Sequence, residues 1–332
     1  MNFLATMHWA FDISIIEFFN KWAQNSDFIA TVFKLLSYLG TEYVIIVVFG
    51  LLYWGIDKKT AKEMGEAAFL VNLTNNTLKS FVSRMRPYQQ SPETIKIKDE
   101  SILLKDPNGN YIPVNGEYGV YYASSSTSFP SGHSAGASGL FNSYARSKMK
   151  TWAWVVATIL CVLVMLSRMV LGAHFLTDVL TGYMVGLVVV EAIYFMREKA
   201  KNPMLINIII MGVTGIITFL SPIWTDQARD LFTSWGIYVA IIIGMWLEEK
   251  YVNFELSKTW WKIVLRVLFG VLIAVGLKIF LKLPYQSFVQ EGSYLGNVLD
   301  MLRYSILSFV AAFLYPMLIK KLKFLNDNNE SN

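Results

Sequence analysis

Cysteine is almost missing from this chain: Cys161 stands alone among 332 residues and sits inside an apolar run. An intrachain disulfide is therefore excluded, and thiol chemistry is not expected. Histidine is nearly as scarce, with only His8, His133 and His174, and no Cys or His pair stands at metal-ligand spacing. Neither a metal nor another cofactor is therefore expected. Charge is thin as well, at 16% of residues, whereas apolar residues reach 54% against roughly 45–50% in soluble domains. The N-terminus lacks a basic stretch before an apolar core, so no cleavable signal peptide is expected.

What is present is a series of apolar runs, each near the length of about 20 residues that a bilayer crossing needs. The pattern predicts an all-α polytopic transmembrane bundle of about nine spans: 28–54 (kinked near Gly40), 63–83, 132–147, 151–171, 178–196, 203–221, 234–249, 261–281 and 302–320. Residues 10–23, apolar on one helical face, suit a helix lying at the membrane interface. The loop 88–129 is too long for a plain connector. Within it, Asn108-Gly109 between two short apolar runs predicts a small β-hairpin. Three regions follow: 1–54 as interfacial helix and first span, 55–200 as the core, and 201–332 as additional spans with a short polar tail. The net charge of +5 is assigned to loops of one membrane face rather than to a nucleic-acid surface. Lys58, Lys59 and Lys62, then Arg146, Lys148 and Lys150, then Arg197, Lys199 and Lys201 all fall on one side. By the positive-inside rule that side is cytoplasmic.

The span 63–83 is unusually polar. Asn72, Asn75, Asn76 and Lys79 form one stripe at helical spacing, so this helix is expected to face a wet site rather than lipid. Lys79 and Arg86, seven apart, would share a helical face two turns apart, and Pro87 would end that helix. Phe129-Pro130-Ser131-Gly132-His133 opens a helix of small residues. Its unpaired first-turn N–H groups and dipole suit a phosphate, with Ser131 adding a hydroxyl and Gly132 allowing close approach. Ser167-Arg168 closes one span, and His174 opens the next. Asp178, four residues on, would lie beside His174 and fix its tautomer. Each feature has a plain structural alternative, such as a snorkelling cation or a bundle hydrogen bond. Together they place three cations, two histidines and one carboxylate at one depth on the face opposite the basic loops. A phosphate group accounts for that gathering.

These residues also resemble a family. Lys79-x6-Arg86-Pro87, Pro130-Ser131-Gly132-His133 and Ser167-Arg168-x5-His174-x3-Asp178 match, in order, the three-block signature of the type 2 phosphatidic acid phosphatase superfamily. That superfamily includes lipid phosphate phosphatases, glucose-6-phosphatases and vanadium haloperoxidases. The match covers about residues 60–195. The nine-span layout and Arg86-Pro87-Tyr88 look like the glucose-6-phosphatase branch. The resemblance implies that His174 attacks phosphorus, with Asp178 orienting it. His133 would protonate the leaving oxygen and then activate water. Lys79, Arg86, Ser131, Gly132, Ser167 and Arg168 would hold the phosphate oxygens, and no metal would be needed. The expected activity is hydrolysis of a lipid phosphate or diphosphate at the extracytoplasmic face, with a phosphorylated lipid and the bilayer as partners. Phosphotransfer to another acceptor, hydrolysis of a soluble sugar phosphate, and lipid binding or transport remain open at this stage.

Overall fold

The computed structural model describes residues 10–82, 84–99, 127–223, 225, 228–285, 287–289, 292–322 and 325. Helices dominate, and no strand occurs among the described residues. The expected hairpin, at about 101–114, and the polar tail lie outside them.

The first helix, α1 (Ala10–Asn25), is followed by α2 (Asp27–Ser37) and α3 (Glu42–Leu51). Asp27–Gly40 and Glu42–Ile56 meet at a bend of 55°, at the expected Gly40. The bend has a packing cause. Gly40 lies so close to the next layer that a Cβ there would run into the carbonyl of His133. Next come α4 (Lys58–Phe81), the short α5 (Pro87–Gln90), α6 (Gly132–Lys148), α7 (Thr151–Val170) and α8 (Leu176–Lys199). The remaining helices are α9 (Pro203–Leu220), α10 (Arg229–Leu247), α11 (Trp260–Phe280), α12 (Tyr294–Phe309) and α13 (Tyr315–Lys321).

Among the described residues, six helices are long and apolar enough to cross a membrane, and the bent pair makes a seventh candidate. The other two expected spans, α4 and α6, are formed as helices of 24 and 17 residues. They are too polar to be recognised by apolarity. Both are instead wrapped by other helices. In α4, Ala61, Ala67, Val71 and Leu73 are fully buried; α6 buries a run from Ser134 to Leu140.

Helices in lipid gain little from apolar burial against one another, so close packing and hydrogen bonds between them carry the association. The small residues of α6 serve that purpose. A Cβ on Gly139 would stand 3.0 Å from the Val71 side chain of α4. On α8, a Cβ on Gly182 would collide with the Ser131 carbonyl, and one on Gly186 with the Ser138 side chain. Ser138 donates to the Tyr183 carbonyl (2.8 Å) and accepts from Asn142 (2.8 Å). Thus α4, α6 and α8 form an inner layer whose ends are fixed to one another.

The basic ends of these helices gather at one pole. Lys58 pairs with Glu248 (2.7 Å), Lys148 with Asp57 (2.7 Å) and Arg146 with Glu198 (2.7 Å). The other end of α4 reaches Lys79. Its 24 residues rise about 36 Å at 1.5 Å each, so the basic loops and the motif residues occupy opposite poles.

Helix α1 also has a polar inner stripe: Asp12 and Asn20 are fully buried, in line with Ile16 and Ala23. Asn20 donates to the carbonyls of Lys96 (3.0 Å) and Val170 (2.9 Å). The exposed side carries Phe11, Phe18 and Trp22 together with Ser14, Lys21 and Asn25. Helix α1 therefore clamps the loops around the motif residues.

Candidate active site

Helix α6 begins where the sequence places it. Ser131 is its N-cap, in extended conformation, with its hydroxyl accepting from the Ser134 N–H at 3.4 Å. The first-turn amides of Gly132 and His133 remain the donors that a helix start leaves open. Gly132 and His133 line a cavity of about 650 Å³. A Cβ on Gly132 would meet only the Asn75 amide nitrogen, at 3.8 Å, so the space above this glycine is cavity. An anion could approach the backbone there.

The same cavity is lined by Lys79, Arg86 and Arg168, and by Asn72 and Asn76 of the polar stripe. Lys79 and Arg86 do not share a helical face, however. Helix α4 ends at Phe81, Val82 is extended, and Arg86 is the N-cap of α5. The helix thus stops well before Pro87, and both cations nevertheless line the same cavity. The Lys79 ammonium donates to the carbonyl of Thr127 at 3.3 Å. Asn76 donates to Ser234 (2.6 Å) and Asn72 lies behind it. Asn75, the third of the stripe, is buried against Gly132 rather than exposed on the cavity wall.

His174 lies one contact behind that wall. It is buried, in the link between α7 and α8, and so precedes α8 instead of sitting on it. Its Nε2 is 3.2 Å from Arg86 Nη1, which also donates to the Ala173 carbonyl at 3.0 Å. A guanidinium can only donate, so Nε2 accepts and carries the lone pair. The proton then belongs on Nδ1, which faces Asp178 Oδ2 at 3.6 Å and the Ser128 hydroxyl at 3.5 Å. Burial, reinforced by Arg86, Arg168 and Lys79, holds this imidazole well below the usual histidine range. It is neutral at pH 7, as a nucleophile must be.

Asp178 is the third residue of α8, and its carboxylate accepts the Phe175 N–H at 2.8 Å, closing the helix start. The separation of four from His174 therefore arises from a cap, not from two positions on one helix. Arg84, which sequence reasoning missed, supplies the missing countercharge. Arg84 Nη1 donates to Asp178 Oδ1 (2.6 Å) and Nη2 to Asp12 Oδ2 (2.9 Å). Its guanidinium lies over the Phe175 ring at 4.2 Å. Asp12 also accepts the Thr177 N–H at 3.1 Å, at the start of α8.

Arg168, one of the three cations of the sequence pattern, has a carboxylate partner. Its Nη1 donates to Asp99 Oδ2 at 2.9 Å, and Asp99 also lines the cavity. That partner comes from the loop that the sequence did not connect to the site. Two of the expected phosphate ligands are occupied elsewhere: Ser131 caps its own helix, and the Ser167 hydroxyl donates to the Val164 carbonyl at 2.6 Å within α7. Both are fully buried. The structure thus brings Lys79, Arg86, Gly132, His133 and Arg168 to one wall, with His174 behind Arg86 and Asp178 behind His174.

Comparison with known proteins bears on the family. Residues 61–202 match the PAP2 superfamily model, and residues 232–328 match the PAP2 superfamily phosphatase transmembrane extension. Phosphatidylglycerophosphatase B of Bacillus subtilis (strain 168) is 39% identical over 87 residues. That alignment takes in 24% of this chain and 43% of the relative, so less than half of the curated relative's length is spanned. A crystal structure of a transmembrane PAP2-type phosphatidylglycerolphosphate phosphatase from the same species shares 25% identity. It covers 59% of this chain and 90% of its own, with a TM-score of 0.42.

Proposed function

Because the chain belongs to the PAP2 superfamily and carries its phosphatase transmembrane extension, we propose that it is an integral-membrane phosphatase acting on a lipid phosphate through a phosphohistidine at His174. One observation carries this reading. The lone-pair nitrogen of His174 points at Arg86, on the wall of a cavity edged by Lys79, Arg168 and an open helix start.

The steps follow from the positions. A substrate phosphate takes up the Arg86 guanidinium, which frees Nε2 to attack phosphorus in line. Lys79, Arg86, Arg168 and the Gly132 amide hold the equatorial oxygens and offset the charge of the transition state. The bond to the lipid oxygen breaks as His133, lining the same cavity and held as the imidazolium by the bound phosphate's negative charge, delivers a proton to it. His133 then takes a proton from water, the water oxygen bonds to phosphorus, and the P–N bond breaks to release phosphate. Asp178 and Ser128 beside Nδ1 keep the ring in the attacking tautomer. Protein cations carry the electrostatic load in this scheme, so no metal ion enters it. Ser131 and Ser167 support the site through the starts and ends of α6 and α7. We further propose nine crossings, counting α4 and α6, with the site on the extracytoplasmic side. The gathering of basic ends at the opposite pole supports that orientation.

Phosphate release from phosphatidylglycerophosphate, phosphatidic acid, a prenyl diphosphate and a sugar phosphate, each with a chelator present, tests the reading. At least one lipid phosphate should be turned over, and intact cells should hydrolyse a water-soluble analogue added outside. Release that needs a metal, or appears only after permeabilisation, would contradict the mechanism or the orientation respectively.

A further inference from the structure

Beside the polar cavity lies a second one of about 210 Å³, walled by apolar side chains. The two are contiguous: Glu42, Tyr43, Ile45, Asn72, Ile237 and Tyr304 line both. From there the second cavity follows α3 past Phe49 to Trp54, with Ala274 of α11 and Leu307 of α12 opposite. Glu42 to Trp54 is twelve helical steps, or about 18 Å. That exceeds half of the roughly 30 Å hydrocarbon thickness. Its far end is closed by Trp54, which packs edge-on against Tyr315 with ring centroids 5.0 Å apart.

The rim of this groove is not water-facing in character. Ile46, Val47 and Val275 are 37%, 48% and 50% exposed, and they belong to segments apolar enough to lie in lipid. At the end nearest the polar cavity, Lys278 of α11 stands 4.9 Å from the Tyr43 ring centroid of α3. A polar, cationic chamber thus continues into a dead-ended apolar groove that opens sideways.

We infer that this groove receives the hydrocarbon chain of the substrate, while its phosphate occupies the polar cavity. The transmembrane extension, through α10, α11 and the segment from α12 to Ala311, supplies half of the groove's lining residues, and α3, Trp54 and α4 supply the other half. This rests on the phosphatase reading and adds the place of the substrate's long, flexible chain beside the phosphate site. In a bilayer such a chain is already surrounded by hydrocarbon, so entering the groove brings little transfer free energy. The groove acts by position. It lets the headgroup reach the cations without lifting the chain out of the membrane.

The test fills the groove without touching the phosphate site. Ala274→Phe places a ring in the middle of it, and Val275→Trp does so at the rim. For both variants and the parent, kcat/KM is measured with dodecyl phosphate in mixed micelles and with butyl phosphate in water, the latter read as substrate or as competitor. In at least one variant the long-chain value should fall about tenfold or more relative to the short-chain value. An unchanged chain-length ratio in both variants, whether the rates hold or fall together, would overturn the groove assignment. The phosphatase reading would then stand, because the parent still releases phosphate. A parent protein that releases phosphate from no lipid would overturn that reading and the groove's role with it.

Discussion

Replacing His174 with alanine is expected to reduce phosphate release by on the order of a thousandfold or more, with the protein still inserted and folded. The ring contributes little to packing beyond its own small pocket, because Arg86 remains bonded to the Ala173 carbonyl (3.0 Å) and Arg84 still holds Asp178 (2.6 Å). What disappears is the nitrogen lone pair. Water cannot replace it, since the nucleophile must sit in line with the leaving oxygen while the cations hold the other three. Phosphate binding should survive, so vanadate should protect the variant against thermal unfolding as it does the parent. Retention of more than a few per cent of the activity would remove His174 from the reaction.

The second large effect is expected at a residue that touches no substrate. Arg84→Ala leaves two fully buried carboxylates, Asp12 and Asp178, without their shared guanidinium. Removing one partner from a buried charge cluster costs about 3–5 kcal/mol. Thermal unfolding in detergent should therefore show a marked loss of stability. Activity should fall too, and in kcat rather than KM. Arg84 fixes the carboxylate that faces His174 Nδ1, whereas the phosphate is held by other cations. Adding Asp178→Asn should recover part of the stability, by neutralising one stranded charge, without recovering kcat. Arg84→Lys should recover some of both. Unchanged kcat in a folded Arg84→Ala protein would mean that the carboxylate network does not position the histidine.

Much of this site was legible because its chemistry demands unusual residues in apolar surroundings. Lys79 and the asparagine stripe stand out in a span, and the small-residue helix after Pro130 announces itself through Gly132, Gly136 and Gly139. The start of α6 and the bend at Gly40 follow directly from such local signals. The reason for Gly40 was not legible, since its neighbour is the backbone of His133, more than ninety residues away in the chain. The geometric argument linking Lys79 to Arg86 failed for a related reason. Helical periodicity was extended across a boundary that no proline or glycine marks, at Val82.

The residues that neutralise the site were the hardest to read. Asp12 lies on an amphipathic helix whose polar face ordinarily means water, and only the fold turns that face toward Arg84. Asp99 lies in a long polar loop, where a single carboxylate has no pattern to distinguish it. Charge compensation between distant segments leaves no periodic trace, so a cation such as Arg168 looks unpaired until its partner is seen. The membrane count shows the same limit from the other side. Helices α4 and α6 are polar because they face a cavity and each other, and hydropathy therefore does not single them out.

The central claim is that the phosphoryl group passes through a histidine of the protein before it reaches water. The most direct measurement is the stereochemical course at phosphorus, using a lipid thiophosphate made chiral with two oxygen isotopes and hydrolysed in water enriched in the third. Two in-line displacements, first by His174 Nε2 and then by water, predict overall retention of configuration. Overall inversion would mean that water attacks the substrate directly, and the nucleophilic role of His174 would be wrong.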